Sequence, residues 1–133
     1  MRLIIFFPLF ILCIISCNRD FSICPNPDRV WVAIEPIQCM GNPWEQDWLE
    51  SHNWDYSSYP LSSTDEELDP EVFKIIRGYY RRQGVIVFAG ETMHKYDEVC
   101  TACSCPAGYT LFLLVEKDKV PKMMEFGYRE EVP

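Results

Sequence analysis

Three cysteines fall within six residues, in the run Cys100-Thr101-Ala102-Cys103-Ser104-Cys105-Pro106. No other feature restricts the possible folds as much. Cys103 and Cys105 stand one residue apart, so a bridge between them would be strained. If these sulfurs are oxidised they take different partners, and at least one reaches back to Cys24 or Cys39. A bridge from Cys39 to the cluster closes a loop of roughly 60 residues, and in the chain-entropy picture contributes about 4 kcal/mol. For a small domain that is a large share of its stability.

Whether these sulfurs meet an oxidant depends on the compartment, and the amino terminus bears on that. Met1-Arg2 precedes an almost unbroken apolar run from Leu3 to Ile15. One positive charge followed by about a dozen apolar residues has the form of a secretory leader. It is shorter than the ~20 residues a permanent spanning helix requires. The run closes on Ile14-Ile15-Ser16-Cys17, which resembles the lipobox of bacterial lipoprotein signal peptides. That resemblance covers residues 1–17 alone and implies a processing route. Residues 1–16 are the signal peptide, and Cys17 carries lipid on its sulfur and amino group. The protein is then held in the bacterial cell envelope by its acyl chains, at roughly 0.8 kcal/mol per buried methylene. Asn18, where Asp would resemble an inner-membrane retention signal, favours the periplasmic side of the outer membrane. Residues 17–28 become a lipidated terminus and tether, with Pro25 and Pro27, and residues 29–133 a single stapled domain.

On this reading Cys13 leaves with the leader and Cys17 is taken by lipid. Cys24, Cys39, Cys100, Cys103 and Cys105 remain, an odd number for an oxidising compartment. Removing the first 16 residues leaves 117, enough for one modest core, with 11 basic against 20 acidic residues and a net charge of −9. Such a chain repels phosphate backbones, so no nucleic-acid partner is expected. From Glu45 to Glu71 there are nine acidic residues and no Lys or Arg, which reads first as a solvated face and second as a docking site for a basic partner.

Val30 to Ile34 is β-rich and reads as a first strand. Asn42-Pro43-Trp44-Glu45 is a helix start, with Asn42 at the N-cap, Pro43 at the first helical position and Glu45 at N3. Trp44, Trp48 and Leu49 then share the core face of a short helix ending near His52. Residues 54–68 lack a clear period and read as a long loop. Asp69-Pro70 opens the best helix, with Val72, Phe73, Ile76, Tyr79 and Tyr80 at helical spacing, Arg81 and Arg82 in its last turn, and Gly84 beyond its end. Val85 to Ala89 and Tyr109 to Val115 read as buried strands. Asp118 caps a final short helix ended by Gly127, and Tyr128 to Val132 adds an edge strand. This order predicts an α+β or α/β sandwich, a small sheet with helices mainly on one face. A ferredoxin-like arrangement fits it best. A thioredoxin-like one is the alternative, because Cys39 lies between a strand and a helix start.

The cysteine cluster supports three readings, of which structural disulfides come first. A Zn²⁺ or Cu⁺ centre from Cys100, Cys103 and Cys105 with Cys39 or Cys24 is second, because soft sulfur ligands select those metals. Met93 and His94 are close enough in sequence to add copper-compatible ligands. Thiol exchange is third: Cys100 and Cys103 form C-x-x-C but sit in a loop, whereas a reactive pair normally sits at a helix N-terminus that lowers the thiol pKa. No hydrolase, phosphate-loop or dinucleotide motif is present, so catalysis is not the expected role. Trp54, Tyr56 and Tyr59 on the loop, beside the acidic run, are the candidate interaction surface. The leading expectation is an envelope lipoprotein that binds a protein or envelope component without catalysis and without a cofactor. The alternative is a metal-handling or thiol-redox lipoprotein.

Overall fold

The computed structural model describes residues 28–60 and 67–133. The expected lipidation site Cys17, the expected tether and Cys24 lie outside them.

Four strands form one open antiparallel sheet. β1 (Arg29–Ile34) runs beside β3 (Tyr109–Glu116), with Arg29 opposite Glu116 and Ile34 opposite Leu111. β2 (Val87–His94) flanks β3 on its other side, and β4 (Arg129–Glu130) flanks β1, giving the spatial order β2-β3-β1-β4. Three helices join the strands: α1 (Pro43–Ser51) and α2 (Pro70–Arg82) between β1 and β2, and α3 (Val120–Glu125) between β3 and β4. The fold is α+β. Every strand pair is antiparallel, which sets aside the thioredoxin-like alternative, since that arrangement requires parallel neighbours.

β3 is central, and its chemistry shows why. Thr110 to Val115 are six consecutive buried residues, the mark of a strand covered on both faces. Leu111, Leu113 and Val115 join Val32 and Val87 in the layer beneath the helices, where they meet Trp44 of α1, Val72, Ile76 and Tyr80 of α2, and Val120 and Met123 of α3. The register places Trp31, Ala33, Phe112 and Leu114 on the opposite face.

α2 forms as its sequence predicts. The Asp69 carboxylate accepts from the backbone N–H of Glu71 (2.8 Å) and Val72 (3.2 Å), Pro70 occupies the first turn, and Gly84 follows at φ +79°. β2 differs from expectation. It begins at Val87, two residues late, and continues through Gly90-Glu91-Thr92-Met93-His94. As an edge strand it needs only one apolar face, and Gly90 is required there because a Cβ would lie 2.6 Å from the Phe73 ring. A bulge between Val87 and Ala89 releases Phe88 from the register, and the Arg29 guanidinium sits 3.6 Å from its ring centroid. Asp118 does not cap α3: it belongs to a 3₁₀ turn (Lys117–Lys119), and its carboxylate pairs with Lys119 at 3.0 Å. The last strand is also shorter than expected.

At the core's centre the Tyr80 hydroxyl donates to the Tyr128 hydroxyl at 2.9 Å, with both side chains buried. Burial pushes both phenols above their ordinary pKa, and burial does the same to Tyr59. The fold therefore favours the neutral phenols. Their contribution is complete below about pH 10, where unfolded tyrosines titrate, and is lost as pH rises beyond it. Thermal melting followed by circular dichroism is expected to show Tm falling above about pH 10, and falling less in a Tyr80→Phe/Tyr128→Phe variant. An equal fall in both proteins would show that other groups control the alkaline limit.

Candidate functional site

The cysteine cluster is a double staple. Cys39 is bonded to Cys103 and Cys100 to Cys105, with Cα separations of 5.1 and 5.8 Å. Cys103 and Cys105 therefore do take different partners, and one of them does reach back to Cys39. Disulfide sulfurs are not thiolates, the form that ligates metals or attacks a disulfide. The metal and thiol-exchange readings thus require a reduced state, and no group of three or more His, Cys, Asp or Glu is placed to hold a metal ion among the described residues. His94 instead faces Asp97 at 3.0 Å, and Met93 is about half exposed.

Backbone contacts reinforce the staple. The Gln38 amide donates to the carbonyls of Cys100 (2.7 Å) and Pro106 (3.0 Å), and its backbone N–H donates to Cys105 at 3.0 Å. Cys39 and Met40 both adopt left-handed backbone, at φ 58° and 55°, a conformation costly for side-chain-bearing residues and held by surrounding contacts. Asn42 supplies one of those contacts. Its Oδ1 accepts from the Ile37 N–H and its Nδ2 donates to the Ile37 carbonyl, both at 3.0 Å. The expected capping box forms as well, with the Asn42 N–H donating to Glu45 Oε2 at 2.9 Å.

The three loop aromatics separate. Trp54 is 48% and Tyr56 54% exposed, as a contact surface requires. Their loop is fixed rather than slack. Asn53 and Trp54 are consecutive left-handed residues, the Trp54 N–H donates to the Leu49 carbonyl at 2.8 Å, and Asp55 accepts from Ser57 to hold a 3₁₀ turn at Tyr56–Ser58. Tyr59 corrects the expectation. It is 7% exposed and packs edge-on against Trp48, 5.2 Å between ring centroids, while the other side of this aromatic group is closed by Trp48 stacked on His52 at 3.8 Å. The 3₁₀ turn reverses the chain and sends Tyr59 inward, which residue type alone did not signal.

Behind Tyr59 lies a cavity of about 130 Å³ between α1, α2 and the sheet. Trp44, Glu45, Tyr59 and Tyr109 bring polar groups to it, and Val72 and Leu111 are among its apolar walls. Trp44 is 1% exposed and its indole Nε1–H loosely approaches the Tyr59 hydroxyl, but among the described residues neither group makes a hydrogen bond of ordinary length. Glu45 turns Oε2 toward Asn42, which donates to it from both backbone N–H and Nδ2 at 2.9 and 2.8 Å. Burial nevertheless holds the Glu45 carboxyl above its ordinary pKa, with the Asn42 hydrogen bonds opposing that shift. The sequence placed Trp44 correctly in the core but carried no sign that its N–H would lack a partner.

Comparison with known proteins adds no assignment: no family model, curated protein or solved structure matches this chain.

Proposed function

We propose that this chain is an exported, lipid-anchored protein of the bacterial cell envelope, whose stapled domain docks a protein or another envelope component without catalysing a reaction. The observation that carries the docking is the fixed, exposed pair Trp54 and Tyr56. Two large aromatics stand about half exposed on a loop whose backbone is strained but fully tied, so little conformational freedom is lost when a partner covers them. Glu50 and Asp55, exposed beside them, favour a partner with basic groups at the rim. The disulfides support export, because such bonds persist in oxidising compartments. The apolar leader ending in Ile14-Ile15-Ser16-Cys17 supports the anchor.

Two measurements test the two halves of the reading. In a bacterial host fed an alkyne-bearing fatty acid, the full chain is expected to become labelled and Cys17→Ser is expected to lose all label. Label retained by that variant would remove the anchor. A photo-crosslinking residue at position 54 is expected to give one discrete adduct in intact cells, weakened at least tenfold by Tyr56→Ala and absent from position 125 on α3. Equal adducts from both positions would remove the docking surface.

A further inference from the structure

The cavity behind Tyr59 holds more unmet hydrogen-bonding capacity than a packed core tolerates. Buried polar groups in folded proteins are paired in roughly nine cases of ten, and an unpaired one costs about 1–3 kcal/mol. Here Trp44 and Tyr59 both line one cavity, and beyond a loose approach to each other neither the Nε1–H nor the hydroxyl has a hydrogen-bond partner among the described residues. They also lie beside a carboxylate. Both Asn42 hydrogen bonds to Glu45 land on Oε2, and the Glu45 charge acts on the Tyr59 phenol. One donor, one group that both donates and accepts, and one acceptor thus converge within apolar walls.

We infer that this cavity is a binding site for a small neutral molecule with an apolar body and a polar end that both donates and accepts, a short-chain alcohol or primary amide. Each part of that description follows from a wall of the cavity. Trp44 has only a donor, so the ligand supplies an acceptor, either to the indole directly or through Tyr59. The Glu45 carboxylate lining the cavity has only acceptor capacity while ionised, so the ligand supplies an O–H or N–H. A carboxylate ligand is repelled by Glu45. An ammonium ligand satisfies Glu45 but leaves the indole N–H unpaired. A hydrocarbon leaves both unpaired. The volume of about 130 Å³ bounds the size. It holds about four heavy atoms, scaled from the ~30 Å³ that water occupies in the liquid.

The cavity is formed by Trp44, Tyr59 and the sheet, and needs neither the lipid nor the Trp54 surface, so this inference stands or falls apart from the docking reading. The test is a titration of the full-length chain, followed by the ¹⁵N–¹H resonance of the Trp44 indole. That resonance is assigned among the four tryptophans of the chain. The probes are 1-propanol, propionamide, propionate and propylammonium, which share a three-carbon chain and differ in the polar end. The first two are expected to shift the Trp44 indole saturably, and the two ions to leave it unmoved at equal concentration. Tyr59→Phe, which keeps the ring and removes a hydroxyl that only loosely approaches the Trp44 N–H, is expected to fold and to weaken 1-propanol about tenfold. Glu45→Gln, which keeps an acceptor for the Asn42 N–H, is expected to admit propionate. No saturable shift with any probe, with long-lived water contacts to the Trp44 indole instead, would show that the cavity stores water only and overturn the inference. Equal shifts with all four probes would overturn its chemical selectivity.

Discussion

Replacing Cys39 and Cys103 together with serine lowers the free energy of unfolding by about 4 kcal/mol. The two residues stand 64 apart in sequence, so their bond removes a large closed loop's worth of freedom from the unfolded chain. Both are exposed, and serine there neither opens a cavity nor buries a new hydroxyl. The loss therefore reports the cross-link itself. The Cys100–Cys105 bond spans only 5 residues, and removing it as Cys100→Ala/Cys105→Ala costs about 2 kcal/mol by the same reasoning. Urea denaturation without reductant checks both. The Cys39/Cys103 variant is expected to lose midpoint and gain slope, because its unlinked unfolded state exposes more surface. A double-serine variant that unfolds at the parental midpoint would show that this bond does not form in solution. Paired substitutions are preferable to single ones, which leave a thiol free to exchange with the remaining disulfide.

Tyr80→Ala is expected to cost about 4 kcal/mol, the upper range for truncating a buried aromatic. Tyr80 is 0% exposed and its ring centroid lies within 6.3 Å of those of Trp44, Tyr79, Phe126 and Tyr128. It thereby links α1, α2 and the segment after α3. Substitution by phenylalanine separates packing from hydrogen bonding. Tyr80→Phe keeps the ring but leaves the Tyr128 hydroxyl buried without its partner, at a cost of about 1–3 kcal/mol. Tyr80→Phe/Tyr128→Phe removes both hydroxyls and is expected to recover most of that cost. The double-mutant cycle then gives a coupling of at least 1 kcal/mol in size. Additive losses would mean that the hydroxyls do not pair.

The features read correctly from the sequence share a local cause. The Asp69-Pro70 start, the Val72-Ile76-Tyr80 stripe and Gly84 all act within a turn or two of helix, so neighbouring residues suffice to specify α2. The apolar run at β3 likewise marks itself, because a strand covered on both faces has no room for polar residues. β2 was only half legible: its outward positions Glu91 and Met93 face solvent and imitate a loop.

Local sequence determined three helices, the central strand and the separation of sulfurs that forbids a Cys103–Cys105 bridge, since each depends on bond geometry or periodicity over a few residues. Tertiary structure alone decided that Cys39 pairs with Cys103, that Tyr59 turns inward while Trp54 and Tyr56 stay out, and that Trp44 meets Tyr59 and Glu45 around one cavity. These outcomes depend on distances between segments 15 to 64 residues apart. Packing sets such distances only after the helices have closed over the sheet, and no run of adjacent side chains encodes them.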